Sequence, residues 1–169
     1  MSNQIARNGN STYVEVKRFQ EEYDLDTNQT IPDITETKVL WDIPPSSNLL
    51  GYLDYAGTGD FTAVEKGIYD IDVTVVWSVV GAGASGQRRI YIEYGNNGTE
   101  LGAQSHDAIP GTTQTTAMST SRRLILLPGD TFCVKVFANQ GSAVDLNGLA
   151  TSTARFCRCT ITYNNGTVN

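Results

Sequence analysis

Histidine is nearly absent from this chain: His106 is the single one in 169 residues. A Ser-His-Asp arrangement would have to use it, and Ser105 and Asp107 flank it directly. Neighbours on an extended segment point to opposite faces, so the three do not converge. His106 reads as a solvated loop residue. Cysteine is scarce too, with Cys133, Cys157 and Cys159. An odd number leaves at least one thiol free. Cys157 and Cys159, two apart in a strand-like run, share a face and sit too close in sequence for an easy disulfide. Three reduced, buried thiols acting as small hydrophobes are expected. A zinc site would lack its fourth ligand, so neither metal nor cofactor is expected.

Charge is sparse and one-sided. Charged residues make up 18% of the chain, with 12 basic against 18 acidic, a net charge of −6 and a pI near 4.6. An acidic surface is repelled by a phosphate backbone, which excludes nucleic acid and anionic membranes as main partners. The basic pairs Lys17-Arg18, Arg88-Arg89 and Arg122-Arg123 each adjoin a strand-like run and read as solvated strand ends. No run of about 18 apolar residues occurs, so no membrane insertion is expected. Residues 1–10 are polar and lack the apolar core of a secretory signal, so synthesis in a cytoplasm is expected. Five prolines and 16 unperiodic glycines exclude a collagen stalk or a proline-rich linker.

What the chain does have is threonine, 20 of them, beside a 40% hydrophobic share rich in Val, Ile and Tyr. That composition can bury a core and favours strands. Ile68 to Val80 alternates most clearly, with Tyr69, Ile71, Val73, Val75 and Trp77 on one face and Asp70, Asp72, Thr74 and Ser78 on the other. The loop from Gly81 to Gly86 lacks a Gly-Lys-Ser/Thr ending and reads as a hairpin connection to a returning strand, Arg89 to Tyr94. Residues 99–121 hold one or two weakly marked strands. Pro128-Gly129-Asp130 predicts a type II turn closing a hairpin. Thr131 to Ala138 turns Phe132, Val134 and Val136 one way and Cys133, Lys135 and Phe137 the other, and a last strand runs from about Ala154 to Tyr163. The expected fold class is all-β, an antiparallel jelly-roll β-sandwich of 8–10 strands with an extended N-terminal arm. The boundaries are an arm or tether at 1–37, a head at 38–165 and a tail at 166–169. Within the arm, Tyr13, Val14, Val16 and Phe19 form an alternating strand suited to anchoring, followed by the acidic run Glu21-Glu22-Asp24-Asp26.

Gly59-x-Phe61-Thr62, Gly67-x-Tyr69-x-Ile71, Leu126-x-x-Gly129-Asp130-x-Phe132, and Ser152 with Phe156 occur in that order. Together they resemble the tumour-necrosis-factor-like jelly roll, in particular the globular head of complement-type trimeric proteins, over roughly residues 38–163. Those heads carry Gly two residues after the last-strand Phe, where this chain has Arg158. The resemblance implies a compact homotrimer packed through apolar and aromatic faces; Tyr69, Tyr91, Phe137 and Tyr163 are the expected interface residues. Similar heads also occur in virus and phage structural proteins.

No catalytic residue is expected. Asp70 and Asp72 share a strand face and read as a half-solvated face meeting Arg88 or Arg89 across the hairpin, not as an acid pair. Asp107, Asp145 and Asn147 are oxygen donors without the spacing of a calcium loop. The expected function is a non-enzymatic, homotrimeric virion structural protein, whether capsid decoration, spike or fibre head. Its arm would attach to a larger capsid or tail assembly, and its head would be exposed for stabilisation or host attachment through a glycan or receptor. The alternative is a cellular or secreted ligand-type head binding a receptor at clefts between protomers. The expected location is the virion surface, or outside the cell by an unrecognised secretion route.

Overall fold

The structure, a computed structural model, describes residues 4–7, 13–16, 18–42, 51–79, 86–95, 99–107, 115–150 and 156–165; side chains are described from Arg18 onward, except at 102 and 105–107. These residues form fourteen strands and no helix. The first seven are β1 (Gln4–Arg7), β2 (Tyr13–Val16), β3 (Arg18–Asp24), β4 (Gln29–Ile31), β5 (Thr37–Lys38), β6 (Leu53–Tyr55) and β7 (Asp60–Ala63). The others are β8 (Gly67–Trp77), β9 (Gln87–Tyr94), β10 (Thr99–Asp107), β11 (Thr116–Leu126), β12 (Thr131–Asn139), β13 (Val144–Leu146) and β14 (Arg158–Asn164). One sheet runs β10-β9-β12-β7-β6, with β5 also on β12; the other runs β3-β14-β8-β13-β4, with β11 also on β8. Every pairing is antiparallel, and β1 with β2 makes a separate two-stranded sheet. The all-β sandwich is the expected jelly roll.

Alternation builds the core. On β8, Tyr69, Ile71, Val73, Val75 and Trp77 are buried, and they meet Ile90 and Ile92 of β9 and Phe132, Val134 and Val136 of β12 in one cluster. Aromatic rings pack at both β3 ends of this core. Tyr23 meets Phe61 edge-on at 5.0 Å, and Phe19 stacks on Tyr52 at 4.6 Å. Tyr52 in turn lies 4.6 Å from Tyr163, which lies 5.1 Å from Tyr69. Offset and edge-on rings of this kind add to simple area burial.

Two expectations about connectivity change. β8 and β9 lie in different sheets, so they are not the hairpin partners expected; residues 80–85 between them lie outside the described residues. Pro128-Gly129 does form the expected tight turn, with the Asp130 N–H donating to the Leu127 carbonyl at 3.0 Å and Gly129 at φ 90°. That turn also crosses between sheets, from β11 to β12. Alternation reports which face of a strand is buried but not which neighbour it pairs with.

The arm boundary at residue 37 also moves. β3 pairs with β14 along seven residue pairs, and Tyr23, Leu25 and Ile31 sit in the core at 3% exposure or less. Residues 18–37 are therefore part of the sandwich. Gly67 opens β8 beside the Tyr163 ring. A Cβ there would fall 2.3 Å from Cε2 of the Tyr163 ring, so close approach is what requires glycine. All three cysteines are free and buried; Cys133 lies on the outer side of β12, and Cys157 and Cys159 lie in the core.

Candidate functional site

The register of β11, β8, β14 and β3 sets a polar lattice on the outer face of their sheet. Its rows read Ser119, Thr74, Arg158 and Asp24; then Ser121, Asp72, Thr160 and Glu22; then Arg123, Asp70, Thr162 and Gln20. Short hydroxyl side chains keep the centre low while arginines rise at its borders. Arg123 grips Asp70 through two hydrogen bonds, Nε to Oδ1 at 2.6 Å and Nη2 to Oδ2 at 3.0 Å. Arg158 grips Asp24 in the same way, at 2.8 and 3.2 Å, and its Nη1 lies 3.3 Å from Glu22. These bonds push the Arg158 pKa up, chiefly through Asp24. The Arg158 guanidinium also lies 5.0 Å over the Phe156 ring. The Thr74 and Ser119 hydroxyls bond to each other at 2.8 Å.

Asp72 at the centre is exposed and makes no hydrogen bond or ion pair among the described residues. Around it opens a groove of about 760 Å³, lined by Asp72, Thr74, Ser119, Ser121, Arg158, Thr160 and Phe156 among others. Its lining combines several hydroxyls, the bare Asp72 carboxylate and the Arg122 and Arg158 guanidiniums with apolar Val73, Val76, Ala117 and Phe156, so it offers a partner both hydrogen bonds and apolar contact. Asp70 was expected to meet Arg88 or Arg89. It meets Arg123 instead, because the neighbour of β8 is β11 and not β9. The signal for this partner lay in Thr116–Leu126, where Met118, Leu124 and Leu126 alternate with Ser119, Ser121 and Arg123.

The expected interface tyrosines do not form an exposed patch. Tyr69 and Tyr163 lie on the inner face, at 0% and 2% exposure, inside the aromatic cluster. Tyr91 is on the outer face of β9 yet fully buried, because long charged side chains close over it. Arg89 lies 5.2 Å over its ring, Lys135 faces it across the ladder, and burial together with Glu36 pushes its hydroxyl pKa up. Ion pairs lace the same face: Arg89 with Glu100, Lys135 with Glu93, and Lys38 with Asp60. Phe137 is half-buried there. The large apolar side chains that do reach solvent include Ile125, Leu127 and Val64. Ile125 faces Ile68 across the ladder, and Ala63, beside Val64, bonds to the 127–130 turn, so these residues cluster at one end of the sandwich.

Of the arm residues, Phe19 belongs to the aromatic cluster of the head. Tyr13, Val14 and Val16 lie on β2, paired with β1, and their side chains are outside the described set, as are those of Ser105, His106 and Asp107. Asp145 accepts the Thr30 hydroxyl at 2.6 Å, and Asn147 is buried. Among the described residues no three His, Cys, Asp or Glu side chains gather as metal ligands. Arg88, expected at a solvated strand end, is 2% exposed; β9 turns it inward with Ile90 and Ile92.

No family model matches the sequence, and no curated protein matches it. Solved structures do. Eiger TNF from S. frugiperda superposes with a TM-score of 0.60 at 11% identity, covering 86% of this chain and 92% of that one. Murine APRIL at pH 8.5 gives 0.58 at 16% identity, over 86% of this chain and 99% of that one. Murine APRIL at pH 8.0 gives 0.58 at 14% identity, over 87% and 99%. At these identities the likeness is one of fold, and the fold is a TNF-like jelly roll. None of the three is a virion protein.

Proposed function

We propose that the chain is a non-enzymatic head that self-associates as a homotrimer on the surface of a virion, tethered by its first 17 residues. The observation that carries this reading is the separate β1–β2 pair. The two six-stranded sheets begin at Arg18, and the described residues ahead of it, 4–7 and 13–16, pair with each other and with neither sheet. A short strand pair outside the sandwich is a ready means of attaching the head to another chain's sheet edge. The trimer is supported by the TNF-like fold and by the exposed Ile125, Leu127 and Val64, which closed symmetry would cover. The hydroxyl-rich groove around Asp72 is the surface offered to a host glycan or receptor. The Asp70–Arg123 ion pair supports reading the two aspartates as part of this surface and not as an acid–base pair.

Light scattering on the purified chain should return three times 18.3 kDa. A stable monomer at micromolar concentration would overturn the trimer. Deleting residues 1–17 should leave a folded trimer that no longer copurifies with particles; unchanged copurification would move attachment to the head.

A second reading is a receptor-binding ligand-type head outside a virion. It is favoured by the comparison structures, one named as a TNF. Saturable binding of the purified trimer to cell surfaces, with no copurification with particles, would select it.

A further inference from the structure

Arg88 is a buried cation with no acid partner among the described residues. Its Nε donates to Gln140 Oε1 at 3.1 Å, its Nη2 lies 3.5 Å from the Ser78 carbonyl, and its guanidinium carbon is 5.3 Å from the Trp77 ring centre. The ion pairs among the described residues engage Lys38, Arg89, Arg123, Lys135 and Arg158, and none engages Arg88. Asp33, at the same end of the sandwich, uses Oδ1 to accept the main-chain N–H groups of Gln140 and Gly141. Burial lowers the Arg88 pKa, but arginine stays protonated throughout the ordinary pH range.

The neighbours of this cation are donors as well. Gln140 Nε2 and Trp77 Nε1 are both buried, and neither has an acceptor among the described residues. The Gln140 amide cannot flip to relieve this, because its oxygen already holds Arg88 Nε and a flip would set two donors face to face. A buried positive charge flanked by unused N–H donors is stabilised most by an acceptor of opposite charge. One cation with two neutral N–H groups matches a single negative charge better than two.

We propose that Arg88, Trp77 Nε1 and Gln140 Nε2 form a buried site for a small monovalent anion, a halide or a short carboxylate. The site spans the sandwich. Trp77 ends β8 in one sheet, while Arg88 on β9 and Gln140 just past β12 belong to the other. The bound anion pins the two layers together where neither contributes an acid.

The test is a melt of the full chain in sodium chloride, bromide or formate against sodium gluconate at equal ionic strength, gluconate being too large to enter. Bound anion raises Tm by mass action, so the shift should saturate with concentration and reach several degrees. Arg88→Met, which keeps the stem and loses the charge, should abolish the dependence, and Trp77→Phe should weaken it several-fold. A crystal grown in bromide should show an anomalous peak at hydrogen-bonding distance from the Arg88 guanidinium. Preference for halide or for formate identifies the source of the anion. A Tm that is equal in all four salts, or a shift that persists in Arg88→Met, overturns the proposal. If Arg88→Met does not fold, the wild-type salt series and the bromide peak decide, and absence of both overturns it.

Discussion

Removing residues 1–36 should unfold the head, whereas removing residues 1–17 should not. The longer deletion takes away β3 and β4, and with them Tyr23, Leu25 and Ile31, all at 3% exposure or less. Full burial of side chains of this size contributes about 1.5–3 kcal/mol each, so the three together account for about 5–9 kcal/mol. The deletion also strips the seven-pair ladder from β14, turning a central strand into an edge, and uncovers Cys159, Ile161 and Tyr163 beside it. Total stability of a domain is only about 5–15 kcal/mol. The loss is as large as the whole margin. Circular dichroism and a thermal melt of the two truncated chains check this, with Leu25→Ala in the full chain as a graded control. That substitution should cost about 2–5 kcal/mol and lower Tm by roughly 5–15 °C at the usual scale for a domain of this size. A chain lacking residues 1–36 that still melts cooperatively, within a few degrees of the intact protein, would refute the assignment of residues 18–37 to the sandwich.

Four further outcomes are expected. Gly67→Ala should destabilise by about 1–3 kcal/mol, because its Cβ meets the buried Tyr163 ring at 2.3 Å; trimming that ring with Tyr163→Leu should make the added cost smaller in a double-mutant melt. Ile34 sits at φ 57° with 68% of its surface exposed, so Ile34→Asn should raise stability by about 1 kcal/mol, read from the denaturation midpoint. Burial pushes the Cys133 thiol up to about 11 and Cys157 up to about 12, from an ordinary value of 9.0. Their folded-state pKa values lie above the unfolded ones, so this stability is fully present below about pH 9 and is lost as pH rises through about 11–12, which a Tm-against-pH series above neutrality should show. Thiol reagents should accordingly react slowly with the native protein and fully after unfolding.

The periodicity of single strands was legible without any structure. The inward set Tyr69, Ile71, Val73, Val75 and Trp77, the opposed sets on Thr131–Ala138, the Pro128-Gly129 turn and the all-β class all follow from two-residue alternation and local backbone chemistry. The motif order around Gly59, Gly67 and Gly129 likewise pointed to a TNF-like jelly roll, the fold shared with the comparison structures. Alternation, however, sorts residues by face and carries no information about the partner strand. Tertiary structure decided that β8 faces β11 and not β9, and hence that Asp70 meets Arg123 and that Asp72 stands in a lattice of hydroxyls. It also decided which outward rings stay wet: Tyr91 is buried because Arg89 and Lys135 fold their stems across it, an arrangement set by cross-strand register. The same holds for Glu21, Tyr23, Leu25 and Ile31, which looked like a charged tether because their run is short and acidic. The burial of the β3 residues depends on β14, more than 130 residues further along the chain, and that of Ile31 on β13, its partner across the ladder; both offer a hydrophobic face to close.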